Sequence, residues 1–103
     1  MKLNIAERIN LMNILPAEAN YLTYKIITNL KSDLSFSEKE TKDYNIQTKD
    51  SMVFWDQGKA KDKDVNIGEK ATDIIVEALK KLDKEGKITD NNSSLYEKFI
   101  INT

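Results

Sequence analysis

Two of the residue types that most often carry enzyme chemistry are absent from this 103-residue sequence. It has no cysteine and no histidine, which excludes disulfides, thiolate metal sites and cysteine nucleophiles and removes the commonest general base. Carboxylate chemistry is still open because a fold can bring distant acids together, but no pair of acids stands out. No Gly-x-Ser-x-Gly elbow, Gly-rich phosphate loop or Ser-x-x-Lys box occurs either. We therefore expect a protein that is not an enzyme, with no catalytic residues and no cofactor.

One stretch of the sequence resembles part of a metal-binding loop. Asp62, Asp64 and Asn66 stand at i, i+2 and i+4, like the start of a calcium-binding loop. Such a loop needs glycine at its sixth position and a bidentate glutamate at its twelfth, and this sequence has Ile67 and Asp73 there. We expect a solvated charged loop and no bound metal.

Four lysines near the end of a predicted helix at 69–85 suggest nucleic-acid binding: Lys80, Lys81, Lys84 and Lys87. Three of them share one flank of the helix, and a short hairpin near helices is typical of a winged-helix-like protein. Against this, 16 basic and 17 acidic residues leave a net charge of -1, so counterion release contributes little. The only arginine is Arg8, and lysines in a last helical turn also suit the helix dipole. Nucleic-acid binding is the alternative function.

Four aromatic residues are the candidates for contact with a protein partner: Tyr21, Tyr24, Phe54 and Trp55. Tyr21 and Tyr24 lie opposite the apolar stripe of their predicted helix, so either this helix is central and covered on both sides, or the tyrosines form a patch that meets a partner or a second copy. Phe54 and Trp55 are neighbours in a predicted strand, and one of them must point away from the core.

The first part of the chain is predicted to be helical. Asn4 followed by Glu7 is a capping-box pattern that begins a helix at about 5–14, which Pro16 ends. Asn20 caps a second helix to about residue 32, and Ser37 with Glu40 begins a short third one at about 38–43. The apolar stripe of the second helix is predicted to face the core: Ala19, Leu22, Ile26 and Leu30.

From Tyr44 the apolar period changes to that of a strand. Residues 44–48 alternate, 49–51 form a turn, and 52–55 favour a second strand. Residues 65–67 are open as a third strand, after a charged loop at 59–64. Gly68 then begins an amphipathic helix that Gly86 ends, and Thr89 is expected to cap a last helix to about Ile100.

These elements predict an α+β domain that spans residues 1–103. It is mainly helical, with four to five helices and a two- or three-stranded antiparallel meander in the middle. No apolar run approaches the ~20 residues that cross a bilayer, and the amphipathic N-terminus is unlike a signal peptide. We expect a cytoplasmic protein that does not bind membranes.

Several segments resemble small uncharacterised proteins of bacteriophage and prophage genomes. The similar segments are residues 67–75 and 94–100, the Leu15-Pro16 pair, and the Leu34-Ser35-Phe36-Ser37 stretch. The resemblance covers most of the chain and carries no functional residues with it. It implies a phage or prophage accessory or regulatory protein. The expected function is therefore a non-enzymatic protein-interaction module, acting through a protein partner or self-association, with nucleic-acid binding as the alternative.

Overall fold

A computed structural model describes residues 1–101 and confirms the α+β class. Within these residues five α-helices accompany two antiparallel sheets of two strands each. In chain order the elements are β1 (Lys2–Leu3), α1 (Ile5–Ile14), α2 (Tyr21–Leu34), α3 (Glu38–Asp43), β2 (Gln47–Lys49), β3 (Met52–Phe54), β4 (Lys63–Asp64), α4 (Glu69–Lys84) and α5 (Ser93–Tyr96). A π-helical turn, Glu97–Ile101, continues α5.

The predicted helix starts are confirmed at α1, α2 and α3. The side chain of Asn4 accepts a hydrogen bond from the Glu7 amide, and the Glu7 carboxylate accepts one from the Asn4 amide. Ser37 and Glu40 make the same reciprocal pair at α3. Asn20 caps α2 by accepting from the Thr23 amide at 2.9 Å. Each cap satisfies amides that have no partner inside the helix.

The core lies where α1, α2, α4 and the C-terminal segment meet. Its buried apolar residues come from every one of these elements, together with Leu3 of β1 and Val65, which follows β4. They are Leu3, Leu11, Leu15, Ile27, Leu30, Leu34, Val65, Ala71, Ile75, Leu79, Leu95 and Phe99. The spacing of Ala71, Ile75 and Leu79 confirms the predicted apolar face of α4. Gly86 ends this segment with a left-handed φ of 68°.

The predicted core stripe of α2 is partly wrong. Leu22 is 76% exposed, and Ala19 precedes the helix and is exposed too. The side of α2 that faces the core is centred on Ile27, Leu30 and Leu34. The helix is therefore rotated about its axis relative to the predicted stripe, and Leu22 lies off the buried side.

The third strand lies at residues 63–64 and not at 65–67. Its partner is β1, in the register Lys2 with Asp64 and Leu3 with Lys63, so it forms a separate sheet beside the hairpin. The Val65 amide donates to the carbonyl of Met1 at 2.8 Å, which extends this pairing by one bond. Val65 directly follows β4, whose Lys63 pairs with the buried Leu3 of β1, and Val65 is buried as well.

The last helix begins later than predicted. Thr89 is not its cap: the Thr89 amide donates to the side chain of Asn92, and a turn over 89–92 precedes α5. Asn92 is the residue that precedes the helix, and no side-chain cap bond is made there. The segment still buries Leu95 and Phe99, as its apolar pattern predicts.

Candidate functional site

The β2–β3 hairpin carries two of the four candidate partner residues. Gln47 pairs with Phe54, Thr48 with Val53 and Lys49 with Met52. Asp50 and Ser51 connect the strands with φ of 53° and 64°, the left-handed pair that a two-residue hairpin turn requires. Positive φ at both positions matches the right-handed twist of the strands, so the turn predicted at 49–51 fixes the register.

The base of the hairpin is joined to α3. The Asp56 amide donates to the carbonyl of Tyr44 at 2.8 Å, and the Ile46 amide donates to the carbonyl of Thr41 at 2.9 Å. The predicted strand at 44–48 is thus shifted, since Tyr44 ends α3 and β2 runs from Gln47 to Lys49 with all three residues exposed. The hairpin is therefore attached to α3 by hydrogen bonds at its base, while the residues of β2 are exposed to solvent.

One face of the hairpin points towards α1. Val53 and Trp55 are half-buried there. Trp55 lines two open clefts of about 370 and 390 Å³, and the second of them is also lined by Met52 and Val53. The α1 residues that line these clefts are Ile5, Ala6, Ile9 and Asn10. Trp55 therefore lies between α1 and the start of the charged loop.

The opposite face of the hairpin is exposed and carries both apolar and polar side chains, because Met52 shares it with its cross-strand partner Lys49 and Phe54 with its partner Gln47. Met52 is 61% exposed and Phe54 51% exposed. The two residues are separated by one, so they share a face, while Val53 and Trp55 share the other. Of the neighbours Phe54 and Trp55, it is Phe54 that points outward. The sequence interpretation missed Met52, although its spacing from Phe54 was the signal that could have found it.

The two tyrosines lie elsewhere, on the outer side of α2. Tyr21 is 70% and Tyr24 49% exposed, so α2 is not covered on both sides. The clefts beside Trp55 are lined by α1 and not by α2. The four aromatic candidates thus belong to two surfaces: Tyr21 with Tyr24 on α2, and Phe54 on the hairpin, with Trp55 behind it.

The four lysines of the alternative function are exposed, but acids are interspersed with them. Lys87 Nζ lies 3.5 Å from the Glu85 carboxylate. Asp83 accepts a hydrogen bond from the Tyr96 hydroxyl at 3.1 Å, which raises the pKa of Tyr96. This end of α4 therefore carries both signs of charge, which gives less attraction for phosphates than an unbroken basic patch.

Two acidic side chains, Glu7 and Glu40, are largely shielded from solvent, and each forms an ion pair with a basic side chain. Burial alone would raise the pKa of Glu7, but hydrogen bonds from Lys98, the Asn4 amide and Ser94 outweigh it, and the pKa is lowered. Hydrogen bonds from Arg8 lower the pKa of Glu40 to about 2, against some opposition from burial. Groups held so firmly as anions are poorly matched to proton transfer near neutral pH. Their geometry is that of structural ion pairs.

Among residues 1–101 no group of three or more acidic side chains is placed to hold a metal ion. Asp64 of the calcium-like pattern lies in β4, and its carboxylate accepts from the Met1 amino group at 2.9 Å, which lowers the pKa of Asp64. No helix in the described part of the chain is long and apolar enough to cross a membrane.

Comparison of this chain with family models, with curated proteins and with solved structures found no significant match.

Proposed function

We propose that this protein is a non-enzymatic interaction module that binds a protein partner through the outer face of the β2–β3 hairpin. The observation that carries the proposal is the exposure of Met52 and Phe54 side by side on a two-stranded sheet whose other face points towards α1. Large apolar side chains on a well-positioned face are typical of binding hot spots, because burying them against a partner removes apolar area from water.

The hairpin is also suited to binding because its two strands are already ordered in the free protein. Its turn, its base bonds and Trp55 hold the two strands before any partner arrives, so little ordering free energy is lost on binding. Both strands are edge strands with backbone groups free to pair with a strand of a partner. The occupant we propose is an apolar pocket or an edge strand on another protein.

The resemblance to phage and prophage proteins supports a role as an accessory or regulatory protein of such an element. A sequence without histidine and cysteine supports a module that acts by contact more than by chemistry.

The test is site-specific photocrosslinking in cells that express the protein, with the photoreactive residue at position 52 or 54 and, as a matched control, at the exposed Glu97, which belongs to neither the hairpin nor the seam between α2 and α4. A discrete adduct from 52 and 54 but not from 97 identifies the partner by mass spectrometry. The partner is then purified and its affinity measured for the wild type and for Phe54→Ser, which should bind about tenfold more weakly or worse. Adducts equally strong from all three positions, or equal affinity of Phe54→Ser and wild type, would contradict the proposal.

The alternative function is tested on the same protein by a mobility-shift assay with duplex DNA and single-stranded RNA. Because phosphate contacts weaken steeply with salt, binding by the lysines should show at about 50 mM salt and fade at higher salt. A shift that disappears in the variant with glutamine at 80, 81, 84 and 87 would replace the interaction module by a nucleic-acid-binding protein.

A further inference from the structure

A second surface, away from the hairpin, runs along the seam between α2 and α4. Two open grooves follow one another there, with volumes of about 470 and 320 Å³. Apolar or small side chains from both helices and from the chain around them line the grooves: Pro16, Thr23, Ile26, Leu30, Ile67, Ala71, Ile74 and Ala78. We call this surface the α2–α4 groove. It leaves apolar side chains of two packed helices open to solvent.

Leu22 does not line either groove, but its spacing along α2 puts it on the flank of the helix next to them. It precedes Ile26 by four residues and Asp33 by eleven, so it lies on the flank of α2 that forms the groove wall. It is more exposed than any other large apolar residue of residues 1–101, at 76%. One face therefore carries both a projecting leucine and apolar hollows of a size that admits a leucine side chain.

The charges of α4 differ in sign between its first and second halves. Its first nine residues carry three acids and one lysine, namely Glu69, Lys70, Asp73 and Glu77. Its last seven carry three lysines and one acid, namely Lys80, Lys81, Asp83 and Lys84. All eight side chains are exposed, but only some of them lie beside the groove. On that flank of α4 the two acids Asp73 and Glu77 are followed by Lys81 and Lys84, and Glu77 and Lys81 line the groove itself. When two such helices lie antiparallel, the acidic half of each faces the basic half of the other, so the face is electrostatically complementary to itself.

A surface that is complementary to itself in both shape and charge fits a twofold-symmetric pair, in which the same patch is used on both subunits. We infer that the α2–α4 groove is the interface for a second copy of this chain. The two α4 helices run antiparallel across the twofold axis, and Leu22 of each copy enters the groove of the other. This inference concerns a different surface from the hairpin and does not depend on the function proposed for the hairpin.

The first experiment measures molar mass by sedimentation and light scattering over roughly 1–300 µM, the range of weak, small interfaces. The wild type should rise from the monomer mass of 11.8 kDa towards twice that value. Leu22→Glu should stay at the monomer mass with an unchanged circular dichroism spectrum, because Leu22 is exposed and its loss leaves the core intact. Tyr21→Glu is the matched control, since it adds the same charge one residue away on the outer side of α2, and it should dimerise like the wild type.

A monomeric wild type throughout the range, or a dimer that Leu22→Glu leaves unchanged, would overturn the inference. A dimer lost in Phe54→Ser but kept in Leu22→Glu would place self-association on the hairpin instead. If only Leu22→Glu abolishes dimerisation, self-association belongs to the α2–α4 groove. The binding of another protein by the hairpin is then decided separately, by the crosslinking experiment.

The second experiment tests the antiparallel arrangement through charge. One variant carries Asp73→Lys with Glu77→Lys, which makes both halves of α4 basic, and the other carries Lys81→Glu with Lys84→Glu, which makes both halves acidic. Each variant alone should dimerise at least tenfold more weakly than the wild type, because like charges then face one another. An equimolar mixture should recover a mixed dimer at low salt. Failure of the mixture to associate better than either variant alone would rule out the antiparallel arrangement.

Discussion

Arg8 holds Glu40 through both of its terminal nitrogens: Nη1 donates to Oε2 at 2.6 Å and Nη2 to Oε1 at 3.2 Å. The same guanidinium donates to the carbonyl of Leu34 at 3.1 Å and to that of Ser35 at 2.7 Å. It also lies 4.5 Å from the centre of the Phe36 ring. The only arginine of the chain is thus fully buried and joins α1 to the corner between α2 and α3.

Replacing Arg8 should be among the most damaging single changes. Arg8→Met would leave the Glu40 carboxylate with only the Ser37 amide as donor and would remove a donor from two carbonyls. Breaking a buried ion pair in this way costs about 3–5 kcal/mol. The free energy of unfolding from urea titration measures the loss. Lys39→Gln, an exposed neighbour of Glu40, is the control and should stay within about 0.5 kcal/mol of the wild type. A loss below about 1 kcal/mol for Arg8→Met would show that this pair contributes little.

Stability should fall in acid through Glu40. Its pKa is about 2 in the folded chain and about 4.5 when the carboxyl is unperturbed. Because the folded value is the lower one, the ion pair stabilises the fold above the unfolded pKa and loses that effect as pH falls from about 5 towards 2. The full pKa difference corresponds to roughly 3 kcal/mol. Because the Glu40 side chain is partly exposed and solvent screens the pair, the loss should be nearer to about 2 kcal/mol, with Glu7 acting in the same direction. Urea titrations at successive pH values measure it.

Glu40→Gln is the variant that checks this assignment. It should be less stable than the wild type at pH 7, and its stability should depend less steeply on pH between about 5 and 2. An unchanged slope in Glu40→Gln would show that other carboxylates produce the acid sensitivity.

Truncation on the two faces of the hairpin should destabilise the fold by different amounts. Trp55→Ala removes a half-buried indole between α1 and the charged loop and should cost about 2 kcal/mol. Phe54→Ala removes a side chain that is 51% exposed and should cost less than about 1 kcal/mol. Circular dichroism during urea unfolding is the suitable measurement, because Trp55 is the only tryptophan and its replacement removes the fluorescence signal. Equal losses would mean that Phe54 contributes to the fold and not to a free surface.

Two glycines at opposite ends of α4 should give changes of opposite sign. Gly68 caps the helix without a side-chain bond, and a Cβ there would meet nothing within 4 Å. Gly68→Ser supplies the missing acceptor and should stabilise the fold by a few tenths of a kcal/mol, roughly 0.5. Gly86→Ala forces a side chain into a φ of 68° and should destabilise it by about 1 kcal/mol. Melting temperatures give the signs directly, and a stabilising Gly86→Ala would contradict the left-handed end of this segment.

The local elements of this fold are readable from the sequence because they rest on local chemistry. The capping residues Asn4, Asn20 and Ser37 accept from amides only three residues ahead. The apolar face of α4 repeats over enough turns to fix which side is buried. The turn at Asp50 and Ser51 stands between two segments whose residues favour strands, and this arrangement predicts the hairpin.

The remaining features depend on partners that are distant in sequence. Nothing near Arg8 predicts that a charged residue is buried, because Glu40 stands 32 residues away. Glu7 was assigned only to a capping box, and its bond to Lys98 spans 91 residues. The exposure of Leu22 depends on how α2 is rotated against α4, which its own pattern leaves open. The pairing of β4 with β1 similarly depends on a long-range meeting of two short segments.

Glu7 and Arg8 are consecutive, so one turn of α1 is tied in two directions: through Lys98 to the C-terminal segment at 2.7 Å and through Glu40 to the corner after α2. A disturbance that loosens either attachment should be felt at the other, because Glu7 and Arg8 stand next to each other in one hydrogen-bonded turn of α1. The two regions, far apart along the chain, should therefore open and close as one cooperative unit, and α1 should be the last part of the protein to exchange its amide hydrogens.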